Sequence, residues 1–154
     1  MNIKLKTMLL CATTVIATAS ASSAASNELI ATTDATSKRG TSSVLALDFL
    51  SSGDATAFEF EVKAPKGAIV DTKYCVSELP PSHVGACQFN KDQGSVVVMV
   101  YSNSNTALPD GVISIGRLSF SGKTSGKATI EKLLVSSTEA KALDAKVSLS
   151  SEIK

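Results

Sequence analysis

The 154-residue chain has no tryptophan, a single histidine, few aromatic residues and no long run of apolar residues, and each shortage excludes something. Without an apolar stretch of about 18 residues it has no membrane-spanning helix. With one imidazole, His83, a hydrolytic triad has one candidate base, and no G-x-S-x-G elbow surrounds any serine. His83 lies between two cysteines beside Pro81 and Ser82, and is read as a surface loop residue. The missing tryptophan removes the commonest platform for stacking on sugars. Acidic and basic groups nearly balance, 14 against 15, so no field attracts nucleic acid. The length suits one domain.

What is present begins with an export pattern. Lys4 and Lys6 precede an uncharged stretch, Met8 to Ala19, and small residues follow through Ala25. That order predicts a cleaved secretory signal over residues 1–25, followed by one domain over 26–154, in a periplasmic or secreted protein without a membrane anchor after cleavage. Cys11 leaves with the signal. Losing Lys4 and Lys6 leaves 13 basic against 14 acidic groups, a charge of about −1. The remaining cysteines, Cys75 and Cys87, form an even pair in an exported chain, and a disulfide is favoured over a reactive or metal-binding thiol pair. Twelve positions is not C-x-x-C spacing, and His83 alone between them leaves a zinc site short of ligands.

The mature part alternates short β-type runs with turn chemistry. The runs are Glu28 to Thr32, Val44 to Leu50, Thr56 to Lys63, Ala68 to Val76, Ser95 to Tyr101, Val112 to Phe120, Ala128 to Val135 and Lys146 to Leu149. Between them lie stretches such as Ser51-Ser52-Gly53-Asp54 and Pro109-Asp110-Gly111. Ser136 to Leu143 is long enough for one helical turn. The expected class is all-β, a two-sheet antiparallel sandwich of jelly-roll type with about eight or nine strands. Phe58, Phe60 and Val62 alternate with Glu59, Glu61 and Lys63, which marks a half-buried strand. Val96 to Tyr101 is apolar at every position, so both its faces are covered or one meets a partner.

Gly116 to Thr124 resembles a phosphate loop superficially, but five residues separate its glycines and a strand runs through it. No EF-hand pattern is present, and no metal or cofactor is expected. Tyr74, Phe89 and Tyr101 are the aromatics placed at strand ends or loops.

The order Val44–Leu50, Ala57-Phe58-Glu59-Phe60-Glu61-Val62, Ser95–Tyr101 and Leu108-Pro109-Asp110-Gly111-Val112-Ile113 leading to Leu118-Ser119-Phe120 resembles a cohesin domain. The likeness spans roughly Asn27 to Leu149. It implies a nine-stranded jelly roll related to certain carbohydrate-binding modules, in a family that binds dockerin modules through one sheet face in extracellular polysaccharide-degrading assemblies. The disulfide pair is not a general feature of that family, and no dockerin, catalytic module or surface anchor is expected beside the domain. The expected function is therefore a non-enzymatic binding module for an extracellular, dockerin-like or other, protein, with Val96, Val98, Met99, Tyr101, Asn103 and Tyr74 as candidate contact residues. Two alternatives stand beside it. One is polysaccharide binding through Tyr74 and Tyr101; the other is inhibition of a secreted hydrolase by the Cys75–Cys87 loop. Open sheet edges make self-association a further expectation.

Overall fold

A computed structural model describes residues 26–34 and 42–152; the expected signal segment and Cys11 lie outside the described residues. The strands are β1 (Asn27–Asp34), β2 (Ser42–Ser51), β3 (Ala55–Lys63), β4 (Ile69–Asp71), β5 (His83–Asn90), β6 (Ser95–Ser102), β7 (Gly111–Ser121), β8 (Thr129–Ser137), β9 (Ala142–Leu143) and β10 (Ala145–Glu152). They form two five-stranded sheets, ordered β10-β1-β2-β7-β4 (sheet I) and β5-β6-β3-β8-β9 (sheet II). Every pairing is antiparallel except β1 with β10, which run parallel. The all-β sandwich expected from the alternating runs is the architecture found.

The core lies between the sheets. Leu29, Leu45, Leu47, Phe49, Leu118 and Phe120 reach it from sheet I, and Phe58, Phe60, Val62, Val96, Val98 and Val100 from sheet II. Alternation decides which residues these are, because successive side chains of a strand point to opposite faces. Phe49 stacks on Phe58 with ring centroids 4.4 Å apart, joining the two layers.

Three local features depart from the sequence reading. Only Ile69–Asp71 of the Ala68 to Val76 run is a strand, because the chain then leaves sheet I and crosses toward β5. His83–Asn90 is a strand that the sequence reading left in a loop. Ser136 to Leu143 forms no helical turn; it is the end of β8, a tight turn and β9, closed by Ala140 N donating to Ser137 O (2.9 Å) and Ser137 N to Lys141 O (2.9 Å). Ala140 adopts φ +56° there, a left-handed conformation usual for glycine.

The crossing segment, residues 72–82, is fastened at two places. Cys75 is buried and joined to Cys87 of β5 by the expected disulfide. Arg117 N donates to Tyr74 O (2.8 Å) and Glu78 N to Ile115 O (3.1 Å), on either side of a bulge where β7 carries one residue more than β2. Gly116 at that bulge has φ +149°, and a Cβ on it would lie 2.3 Å from Tyr74 O and 2.7 Å from Cys75 O. Only glycine lets the crossing segment lie this close to β7.

Candidate functional site

The outer face of sheet II is set by the register of β6 on β3. Val62, Phe60 and Phe58 pair with Val96, Val98 and Val100, so all six point inward; Glu61, Glu59 and Ala57 pair with Val97, Met99 and Tyr101, which point outward. This corrects the expected contact set. Val96 and Val98 are fully buried core residues and present nothing to a partner. Met99 (42%) and Tyr101 (46%) are the exposed members of the strand, and Asn103 and Tyr74 are exposed too.

Around Met99 and Tyr101 the sheet brings together residues that the sequence reading did not assign. Ala86 of β5, Met99, Glu59 and Leu134 of β8 form one row across four strands. Val84, Tyr101, Ala57 and Ser136 form the next. Leu134 is 67% exposed and Val84 38%. Val84, Met99, Tyr101 and Leu134 are thus exposed large apolar residues of one sheet face, with Glu59 between Met99 and Leu134. The exposed Val112 and Ile69 of sheet I sit near opposite ends of β7 and make no such patch, and Val147 and Leu149 lie along the β10 edge.

One flank of the patch is polar. A bulge in β8 places Lys132 and Leu133 opposite Phe60, with Lys132 at φ +57°. Lys132 Nζ donates to Glu61 Oε2 (2.5 Å) and Lys63 Nζ to Glu61 Oε1 (2.6 Å). The two ammonium groups, Lys132 foremost, hold the Glu61 carboxyl down to about 2 against the opposing effect of its burial. Glu61 is therefore a carboxylate neutralised within the fold. Glu59, in the middle of the apolar row, forms no ion pair among the described residues.

The other expected features separate. Tyr74 belongs to the crossing segment, with its ring under Arg117 of sheet I (4.9 Å) and Lys73 (5.1 Å), so Tyr74 and Tyr101 do not form one stacking platform. His83 is buried, not a surface loop residue: it begins β5 with its side chain inward, its Nδ1 2.9 Å from Ser82 Oγ. Burial pushes its pKa below the ordinary imidazole value. Among the described residues no group of three or more His, Cys, Asp or Glu side chains is placed to hold a metal ion.

Comparison with protein-family models gives no match, and neither does comparison with curated protein sequences. Comparison with solved structures does. The chain is similar to a type II cohesin, A11, from Bacteroides cellulosolvens, with a TM-score of 0.56 and 12% identity over 81% of this chain and 99% of that one. It is similar to a non-cellulosomal cohesin from the hyperthermophilic archaeon Archaeoglobus fulgidus, with a TM-score of 0.57 and 10% identity over 81% of this chain and 88% of that one. It is also similar to a chain of a type I cohesin–dockerin complex from Clostridium thermocellum, with a TM-score of 0.54 and 11% identity over 82% of this chain and 95% of that one. At such identities the likeness is one of backbone and strand order, and with two sheets in this arrangement the chain carries the cohesin fold.

Proposed function

We propose that this chain is an exported, non-enzymatic module that binds another protein through the outer face of sheet II, with Val84, Met99, Tyr101 and Leu134 as the apolar centre and Glu59 as its charge. The observation that carries this reading is the set of large apolar residues that β5, β6 and β8 expose around Glu59 on a face open to solvent. An isolated exposed leucine is ordinary, but four large apolar residues gathered on one rigid sheet supply the water-excluding centre that protein interfaces use. The cohesin fold adds to this, since one of the similar solved structures is a cohesin in complex with a dockerin. A dockerin-like partner is the first to try. Export rests on the basic, then apolar, then small-residue order of residues 1–25, and the Cys75–Cys87 disulfide agrees with it.

The test is capture. Immobilised mature domain, Ser26 to Lys154, is exposed to culture fluid and to a panel of purified dockerin modules. Retention of one partner, competed by free domain, is the expected result; retention of none would remove the reading.

A further inference from the structure

At the end of the sandwich where β3, β5 and β7 finish, three turns lie side by side: residues 64–68, 91–94 and 122–128. They are tied to one another. Ala64 N donates to Gly94 O (2.9 Å), Lys66 N to Ser125 O (3.0 Å) and Ser125 N to Lys66 O (3.1 Å). Asn90 Oδ1 accepts from the backbone N–H groups of Asp92 and Gln93, fixing the second turn from within. Between the first two turns opens a cleft of about 410 Å³, within the size range of small-ligand sites, with Phe89 in its wall and Lys63, Lys66, Lys91, Asp92 and Gln93 around it.

The charge of these three turns is one-sided. The three turns carry Lys66, Lys91, Lys123 and Lys127 against Asp92 alone, all four lysines are exposed, and none forms an ion pair among the described residues. The turns at the opposite end carry Asp54, Asp110, Glu139 and Asp144 against Lys141. In a chain whose charges otherwise nearly balance, this concentrates positive potential over one concave feature.

We propose that the cleft binds the acidic sugar units of a uronate-containing polysaccharide. Lys66 and Lys91 would hold the carboxylate by charge-assisted hydrogen bonds, Phe89 would cover the apolar face of the ring, and Asp92 and Gln93 would take its hydroxyl groups. Lys123 and Lys127, on the adjoining turn, extend the positive surface for neighbouring units. The composition of the wall favours a sugar acid over a lipid headgroup or an acidic protein. Asp92 repels a densely charged anion but accepts from hydroxyls, and the turns bear only Ala64, Pro65, Ala68 and Ala128 as apolar residues, too small to enter a bilayer. The cleft lies at the end of sheet II, with Lys63 of β3 in its lining, and takes its ligand whatever the outer face of that sheet binds.

Titration of the mature domain with a short oligogalacturonate, followed by amide shifts in NMR spectra, is compared with a neutral galactan oligomer of equal length, polyglutamate and phosphatidylglycerol vesicles. The oligogalacturonate is expected to shift residues of the three turns, with binding that weakens as salt is added and falls about tenfold or more in Lys66→Ala/Lys91→Ala. Lys141→Ala, at the other end, leaves it unchanged. Equal affinity for the neutral oligomer, equal affinity in the double variant, binding only to the peptide or the vesicles, or no binding at all would each overturn the proposal.

Discussion

Replacing Gly116 by alanine separates the architecture described here from any sandwich in which residues 72–82 are a loose loop. The added Cβ would stand 2.3 Å from Tyr74 O and 2.7 Å from Cys75 O, both backbone atoms that cannot rotate away. Relief requires moving the crossing segment outward by about 1 Å, since uncrowded carbon–oxygen contacts begin near 3.3 Å. That shift breaks the bonds from Arg117 N and Glu78 N, each worth about 1 kcal/mol net. The φ of +149° adds about 1–2 kcal/mol for a residue with a side chain. Withdrawal of Cys75 from the core adds more, and the disulfide resists it. The total is about 3–5 kcal/mol, which for a domain of this size lowers the melting temperature by roughly 10–20 °C. Thermal and urea unfolding measure it. Gly94→Ala is the control, because Gly94 also has positive φ (+61°) but nothing within 4 Å of a Cβ, so about 1 kcal/mol is expected. In a Cys75→Ser/Cys87→Ser background the freed segment yields more easily, and the cost of Gly116→Ala should shrink. If Gly116→Ala melted like Gly94→Ala, the close seating of residues 72–79 on β7 would be wrong.

Other expectations follow from particular residues. Ala140→Gly relieves a left-handed alanine in the β8–β9 turn and should raise stability by about 1 kcal/mol, read from urea midpoints. Separating the two cysteines with serine should cost about 3 kcal/mol, the chain-entropy value for a loop of this length; unchanged stability with both thiols titratable in the folded protein would deny the bridge. Glu61 and His83 both have folded pKa values below their unfolded ones, so each contributes stability at high pH that is lost on acidification. For His83 the loss begins below about pH 6.5, and for Glu61 it runs from about pH 4.5 down to about 2. Urea unfolding across that range should therefore show two falling limbs, the upper one absent in His83→Gln and the lower one reduced in Glu61→Gln.

The sequence carried the class of fold because the central strands alternate cleanly. Phe58, Phe60 and Val62 declare one face of β3, and the runs that become β2, β6 and β7 stand between turn residues. It concealed β5, whose inward positions are His83, Gly85, Cys87 and Phe89 and whose outward ones are Val84, Ala86 and Gln88. Apolar and polar residues there occupy both faces, so no period of two stands out. For β6 the difficulty was the reverse. Six consecutive apolar residues conceal the phase, and only pairing with β3 tells Val96 and Val98 from Met99 and Tyr101. That pairing was within reach of reasoning, since Phe58 and Phe60 demand apolar partners inside and Glu59 leaves its partner outside. Leu134 and the Lys132 bulge had no such signal, because a bulge shifts the phase of β8 partway along its length.

The claim that sheet II is the binding face is tested most directly by affinity for the captured partner in two surface variants that keep the fold. Met99→Lys/Leu134→Lys puts charge into the apolar row, and Val112→Lys does the same to an exposed valine of sheet I. With melting temperatures preserved, the account predicts that the first loses about 2 kcal/mol or more, at least roughly thirtyfold in Kd, while the second binds as the parent does. Undiminished binding by Met99→Lys/Leu134→Lys, or loss confined to Val112→Lys, would contradict it.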